Sequence, residues 1–177
     1  MEEVRDLRMD ERQGAGGVLD SIMRKIPGYA GYRDRENRRE ADEKHREFIA
    51  KRLTQKKRDI QDVGEILLGN GDMSQMAALD GLSNKFDRLI ERTRHASAGF
   101  SSFADSNVVD VQRLDIIYEH DLALLTCVEK LDTLISQAED AADANDNVGR
   151  AFRNVKKGLD EVDAHLDKRD KIMKGLE

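Results

Sequence analysis

At 177 residues, with a net charge of -6, 37% charged side chains and one cysteine, the chain is long enough to fold around a core of its own. The acidic balance argues against a general nucleic-acid coat, and a lone Cys127 excludes an intrachain disulfide and fits a reducing cytoplasm. No apolar run approaches the roughly 18 residues of a membrane span, and the start does not read as a signal peptide.

Residues 1–17 read as a flexible charged leader closed by the glycine break at 14–17. Residues 18–31 read as a short amphipathic helix and turn. Val18, Leu19, Ile22, Met23 and Ile26 share its apolar face, and Pro27, Gly28 and Gly31 enforce the turn. That face either docks on the remaining helices or meets a partner or membrane surface.

The pattern then predicts an all-α architecture over 32–177, an up-down-up-down four-helix bundle with long antiparallel helices near 33–68, 73–97, 110–142 and 147–175. In the first, Ile49, Leu53, Ile60, Val63 and Leu67 form a seam with Lys56 in one slot. Its opening stretch, 33–47, is nearly all charge and is expected to be a solvated or inter-subunit face projecting beyond the other helices. Glycines at 69 and 71 end this helix. The second carries Met76, Leu79, Leu82, Phe86, Leu89 and Ile90. After an aperiodic stretch over 97–107 comes the third and most apolar helix, with Leu114, Ile117, Leu124, Leu125, Val128, Leu131, Ile135 and Ala138. Asparagines at 145 and 147 interrupt its acidic tail. The fourth helix follows with Val148, Phe152, Val155, Leu159, Val162 and Leu166 in steps of three and four, and Arg169 in the next slot.

Chemistry-bearing patterns are sparse. Asp42-x-x-His45, Glu91-x-x-x-His95, Glu161-x-x-x-His165 and adjacent Glu119 and His120 approach carboxylate-bridged di-iron spacing without reaching Glu-x-x-His. They read as solvent-facing histidines and helical charge pairs. No nucleophile elbow or phosphate-cradling loop is present. The expectation is therefore no metal, no cofactor and no catalytic residue. Cys127 reads as a small core residue.

Three charges sit in apolar stripes, Lys56, Asp121 and Arg169, and each needs a partner or water. Asp121, in mid-helix, is the candidate buried polar pin, with Arg92, Arg94 or His95 as expected partners. Phe100 and Phe103, in the aperiodic stretch, either plug an end of the bundle or join Arg35, Arg38 and Arg39 as candidate partner-binding residues.

The stretch PGYAGYRDRENRREADEKHRE at 27–47, with RTRHASAGFSSF at 92–103 and LDIIYEHDLALL at 114–125, resembles a group of uncharacterised bacterial helical proteins. These share a PGY-x-GY-x-x-RE-x-RR start and an aromatic loop before the third long seam. The resemblance implies a cytoplasmic bacterial origin and a helical fold, and carries no activity over. The amphipathic leader before long charged helices also looks like membrane-stress coat proteins of the phage-shock class, whose much longer hairpin this chain lacks.

The expected function is a non-enzymatic interaction or scaffold protein acting through a protein partner, a second copy of itself included. The alternative is a peripheral membrane-binding protein using the leader with the basic segment 51–58, at the inner face of the membrane.

Overall fold

The computed structural model describes residues 16–34, 37–95 and 111–174. Among them are five helices and no strand. They are α1 (16–25), α2 (Arg38–Gly69), α3 (Met76–His95), α4 (Val111–Asp143) and α5 (Val148–Lys174). The boundaries follow local chemistry. Gly71, at φ 75°, turns the chain out of α2, while Asn70 and Asp72 N–H groups cap the Ile66 and Leu67 carbonyls. Asn145 and Asn147 take φ of 50° and 57°, a region asparagine tolerates better than most residues, and so break α4 from α5.

The helices bury one continuous core. It contains Leu53 and Ile60 of α2, and Leu79, Leu82, Phe86 and Leu89 of α3. From α4 come Leu114, Ile117, Leu124, Leu125, Val128 and Leu131, and from α5 Phe152, Val155, Leu159 and Val162. All of these are apolar positions of the stripes read from sequence. Fully burying each such side chain is worth roughly 1.5–3 kcal/mol, so the core is the main source of stability.

The packed helix pairs are α2 with α3, α4 with α5, α2 with α4, and α3 with α5. Gly64 lies under Leu79 and Gly158 under Leu131 and Leu134, where a Cβ would collide, so both helix pairs approach closely. Ion pairs line the outer seams: Lys57 with Asp87 at 2.7 Å, Lys130 with Glu161 at 2.9 Å, and Lys85 with Asp160. No helix among the described residues is long and apolar enough to cross a membrane.

Two expectations about the first half of the chain need correction. The glycines at 16 and 17 belong to α1 instead of lying in a break before it. The charged stretch at 33–47 does not project as a solvated face: Arg38, Ala41, Asp42 and His45 are buried. The physical reason is register. Positions 38, 42, 45, 49, 53, 56, 60, 63 and 67 step by three and four, so the seam of α2 continues inward regardless of residue polarity.

Candidate functional site

The seam of α2 carries its polar residues to one place, where they meet polar residues of α4, α5 and the turn after α1. The turn is built first. Gly28 and Gly31 take φ of 75° and 78°, which a side-chain-bearing residue resists. At Gly31 an added Cβ would also stand 2.7 Å from the Tyr118 hydroxyl. That closeness lets Tyr118 Oη accept a 2.7 Å hydrogen bond from the Tyr32 N–H, while Arg38 Nε donates to the Tyr32 carbonyl at 2.9 Å. Tyr32 stacks on Tyr118 with centroids 5.6 Å apart and meets Tyr29 edge-on at 5.8 Å. The three tyrosines of the chain thus form one group.

Below them lies Asp121, which is completely buried. Its Oδ2 accepts a 2.7 Å bond from Tyr32 Oη and its Oδ1 a 2.7 Å bond from Arg169 Nε. Arg169 Nη2 donates at 3.0 Å to Tyr32 Oη and at 2.8 Å to Asp42 Oδ1. Asp42 Oδ2 in turn accepts from Arg46 Nε at 2.8 Å, and Arg46 Nη1 donates to the Arg94 carbonyl at 2.6 Å. The turn and the four long helices are thereby joined through one network. His45, 1% exposed, places Nε2 3.5 Å from the Asp121 carbonyl and 3.8 Å from its Oδ1.

The electrostatics follow from this wiring. Burial pushes the Asp121 carboxyl up, but Arg169, His45 and the hydrogen bonds outweigh it and hold the group below its ordinary value. Burial likewise works against the Arg169 cation, and Asp121, Tyr32 and Asp42 overcome it, so the guanidinium is held well above its usual range. The pair is charged. Burial drives the Tyr32 hydroxyl well up, with the Asp121 charge adding to it, so Tyr32 stays a neutral donor. Tyr29 is raised for the same two reasons. Its buried Oη lies near Tyr32 without completing a hydrogen bond among the described residues. Burial lowers His45, against the pull of Asp121, and leaves it a neutral imidazole near neutral pH.

Asp121 is buried and paired, but not with Arg92, Arg94 or His95. Arg92 reaches Asp163, Asp167 and Asp170 of α5 at 2.6, 2.6 and 3.1 Å. Arg94 and His95 lie at the exposed end of α3 beside Glu91. The actual partner, Arg169, is the other charge in an apolar stripe. Lys56, the third, is buried and pairs with Asp132. Arg38, expected to meet a partner, is buried against Tyr32; Arg39 is exposed on α2. Arg35, Phe100 and Phe103 lie outside the described residues.

On α1 and just after it, Ile22 and Ile26 are buried in the core and Val18 and Leu19 pack partly against it, while Met23 points outward at 46% exposure. Lys25 secures the helix to Glu129 of α4 at 2.6 Å. Of the face offered as a membrane or partner surface, Ile22 and Ile26 are covered by the chain itself, Val18 and Leu19 partly so, and Met23 is not.

Of the four histidines, only His95 is strongly solvent-facing, at 78% side-chain exposure. His120 and His165 are half-buried with ring centroids 5.9 Å apart. No group of three or more His, Cys, Asp or Glu among the described residues is placed to hold a metal ion. Cys127 packs partly against the core. Burial and, after it, Glu161 push its thiol up, so it is a poor nucleophile.

The tyrosines and His45 were missed as site residues because the turn read only as a turn and the charge run only as surface. A periodic signal existed in the continuation of the α2 seam through 45, 42 and 38.

On the outer side of α2 lies a groove of about 730 Å³. Lys51, Arg52, Arg58 and Arg94 line it against Glu43 and Glu47. No protein-family profile, curated protein or solved structure matches this chain.

Proposed function

We propose that the protein is a non-enzymatic helical interaction protein of the bacterial cytoplasm, acting through contacts with another protein. Its four long helices would form an up-down-up-down bundle. Contacts of 46 with 94 and 57 with 87 support opposite senses for α2 and α3, and 121 with 169 and 130 with 161 support the same for α4 and α5. In this arrangement α2 and α4 run alongside one another, as 45 with 121 and 56 with 132 indicate.

The observation that carries the functional reading is the division of charge. The interior charges Asp42, Asp121, Arg169 and Lys56 spend themselves on partners within the chain. On the outer side of α2, Lys51 and Arg58 help line an open groove with a basic surplus, suited to a partner bearing carboxylates.

The test is affinity capture from the source cell with the full chain and with a Lys51→Glu/Arg58→Glu variant. The reading expects one captured protein that the variant loses while its melting curve is unchanged. Identical capture by both chains would refute it. Flotation of the full chain with anionic liposomes, lost in the variant, would instead favour the peripheral membrane reading, which uses the same basic segment.

A further inference from the structure

The segment 16–34 is the smallest packed unit in the molecule. A helix the length of α1 is marginal on its own, since isolated helices below about 12–15 residues seldom persist in water. What secures it is specific: the Ile22 and Ile26 side chains, the Lys25–Glu129 pair, and Tyr32 hydrogen-bonded to Asp121, Tyr118, Arg38 and Arg169.

Beneath this segment His45 is sealed from water. Tyr29, 6.5 Å away between ring centroids, faces it from the turn, and Tyr32 is bonded to the same Asp121 that flanks it. Asp42, Arg38 and Arg46 lie on its own helix, Asp121 on α4 and Arg169 on α5. Burial is the largest influence against a proton on His45, and Arg169 opposes it too; Asp121 and Asp42 favour the proton, but burial outweighs these carboxylates. A proton on His45 would place a cation in a site sealed from water, already occupied by the Arg169 guanidinium.

We propose that segment 16–34 is an acid-released latch: protonation of His45 favours the state in which Tyr29 and Tyr32 lift away and the apolar face of α1 is uncovered. The route is set by the packing. The imidazolium can reach water by displacing a short segment, whereas every other wall around it is a long helix of the core. Asp121, whose Oδ1 lies 3.8 Å from His45 Nε2, works against opening, and burial outweighs it.

The linkage has a definite sign. His45 takes its proton more readily in the open state, near pH 6.5, than in the docked state, where burial lowers its pKa. The open-to-docked ratio therefore rises as pH falls below that value, by up to ~30-fold by about pH 5.

Amide hydrogen exchange of the full chain, corrected for the intrinsic pH dependence of exchange, measures this ratio even when opening is rare. Between about pH 7.5 and 5, amides of 18–32 should open up to ~30-fold more often, while those of 124–131 and 152–162 stay constant. His45→Gln should remove the pH response. A chain carrying His95→Gln, His120→Gln and His165→Gln should keep it, which also covers the case in which His45→Gln fails to fold. The proposal is overturned by a wild-type response below ~3-fold, an unchanged response in His45→Gln, its loss in the triple variant, or a parallel rise in the core amides.

Discussion

The middle and the α1 end of this molecule hold together in different ways. Around Leu124, Leu131, Phe152 and Leu159 the helices share apolar surface, and any well-packed set of similar volume would serve. Around Asp121 the contacts are directional: one carboxylate, one guanidinium and one phenol satisfy each other at 2.7–3.0 Å, and each becomes a burden if another is removed. The apolar region supplies stability in bulk. The polar region decides where α1, the turn, α2, α4 and α5 sit relative to one another, because a displacement of one residue would leave a buried charge alone.

Removing a member of the polar network should therefore have the largest effect. Asp121→Ala leaves Arg169 buried with only Asp42 to answer it and should cost about 3–5 kcal/mol in denaturant melts. A loss below about 1 kcal/mol would mean that water reaches the guanidinium and that the network is not the directional element described.

In the apolar region Leu124→Ala should cost about 2–5 kcal/mol, the range for a packed leucine leaving a cavity, with no change in the pH dependence of stability. Gly31→Ala comes next. Its positive φ and the Tyr118 hydroxyl at 2.7 Å from a new Cβ predict a loss of about 1–3 kcal/mol. Tyr118→Phe on the same background should restore only part of it, since the backbone conformation stays strained. At the other extreme, Lys57→Ala removes a surface pair with Asp87, whose side chain is half exposed, and should change stability by at most about 1 kcal/mol.

Acid separates the regions without mutation. Asp121 is held below the ordinary carboxylate value of 3.8, so its contribution is complete above that pH and is lost as pH falls through the lower folded value. His45 is lowered from 6.5, so the folded state also loses ground as pH falls below 6.5. Wild-type stability should decline in two stages on acidification, the upper absent from His45→Gln. A single decline near pH 4, identical in both proteins, would contradict this.

The same division explains how much was legible in the sequence. Apolar side chains announce their face by spacing, so Leu53, Phe86, Leu131 and Val162 could be placed in the core from the stripes alone. The polar site could not be read that way, because Arg38, Asp42 and His45 look like a solvated charge run when judged by polarity instead of register. Asp121 and Arg169 each stand out as intruders in an apolar stripe, yet the basic residues at the end of the neighbouring helix α3 offer themselves first as partners for Asp121. Two oppositely charged intruders on stripes facing one core are the better match, since neither has another way to be neutralised. Tyr29 and Tyr32 carried no periodic signal at all. Their burial depends on Gly28 and Gly31 bending the chain back over α4, a tertiary fact that a turn signature does not contain.

The central claim is that Asp121 and Arg169 act as one unit, and the most direct measurement is a double-mutant cycle by denaturant melts of Asp121→Leu, Arg169→Leu and the double variant. The cost of each single change belongs to the charge it orphans. The double variant should therefore be more stable than either single one, with a coupling of about 2–3 kcal/mol. Additivity of the two single losses to within about 0.5 kcal/mol would show that the two residues do not depend on each other.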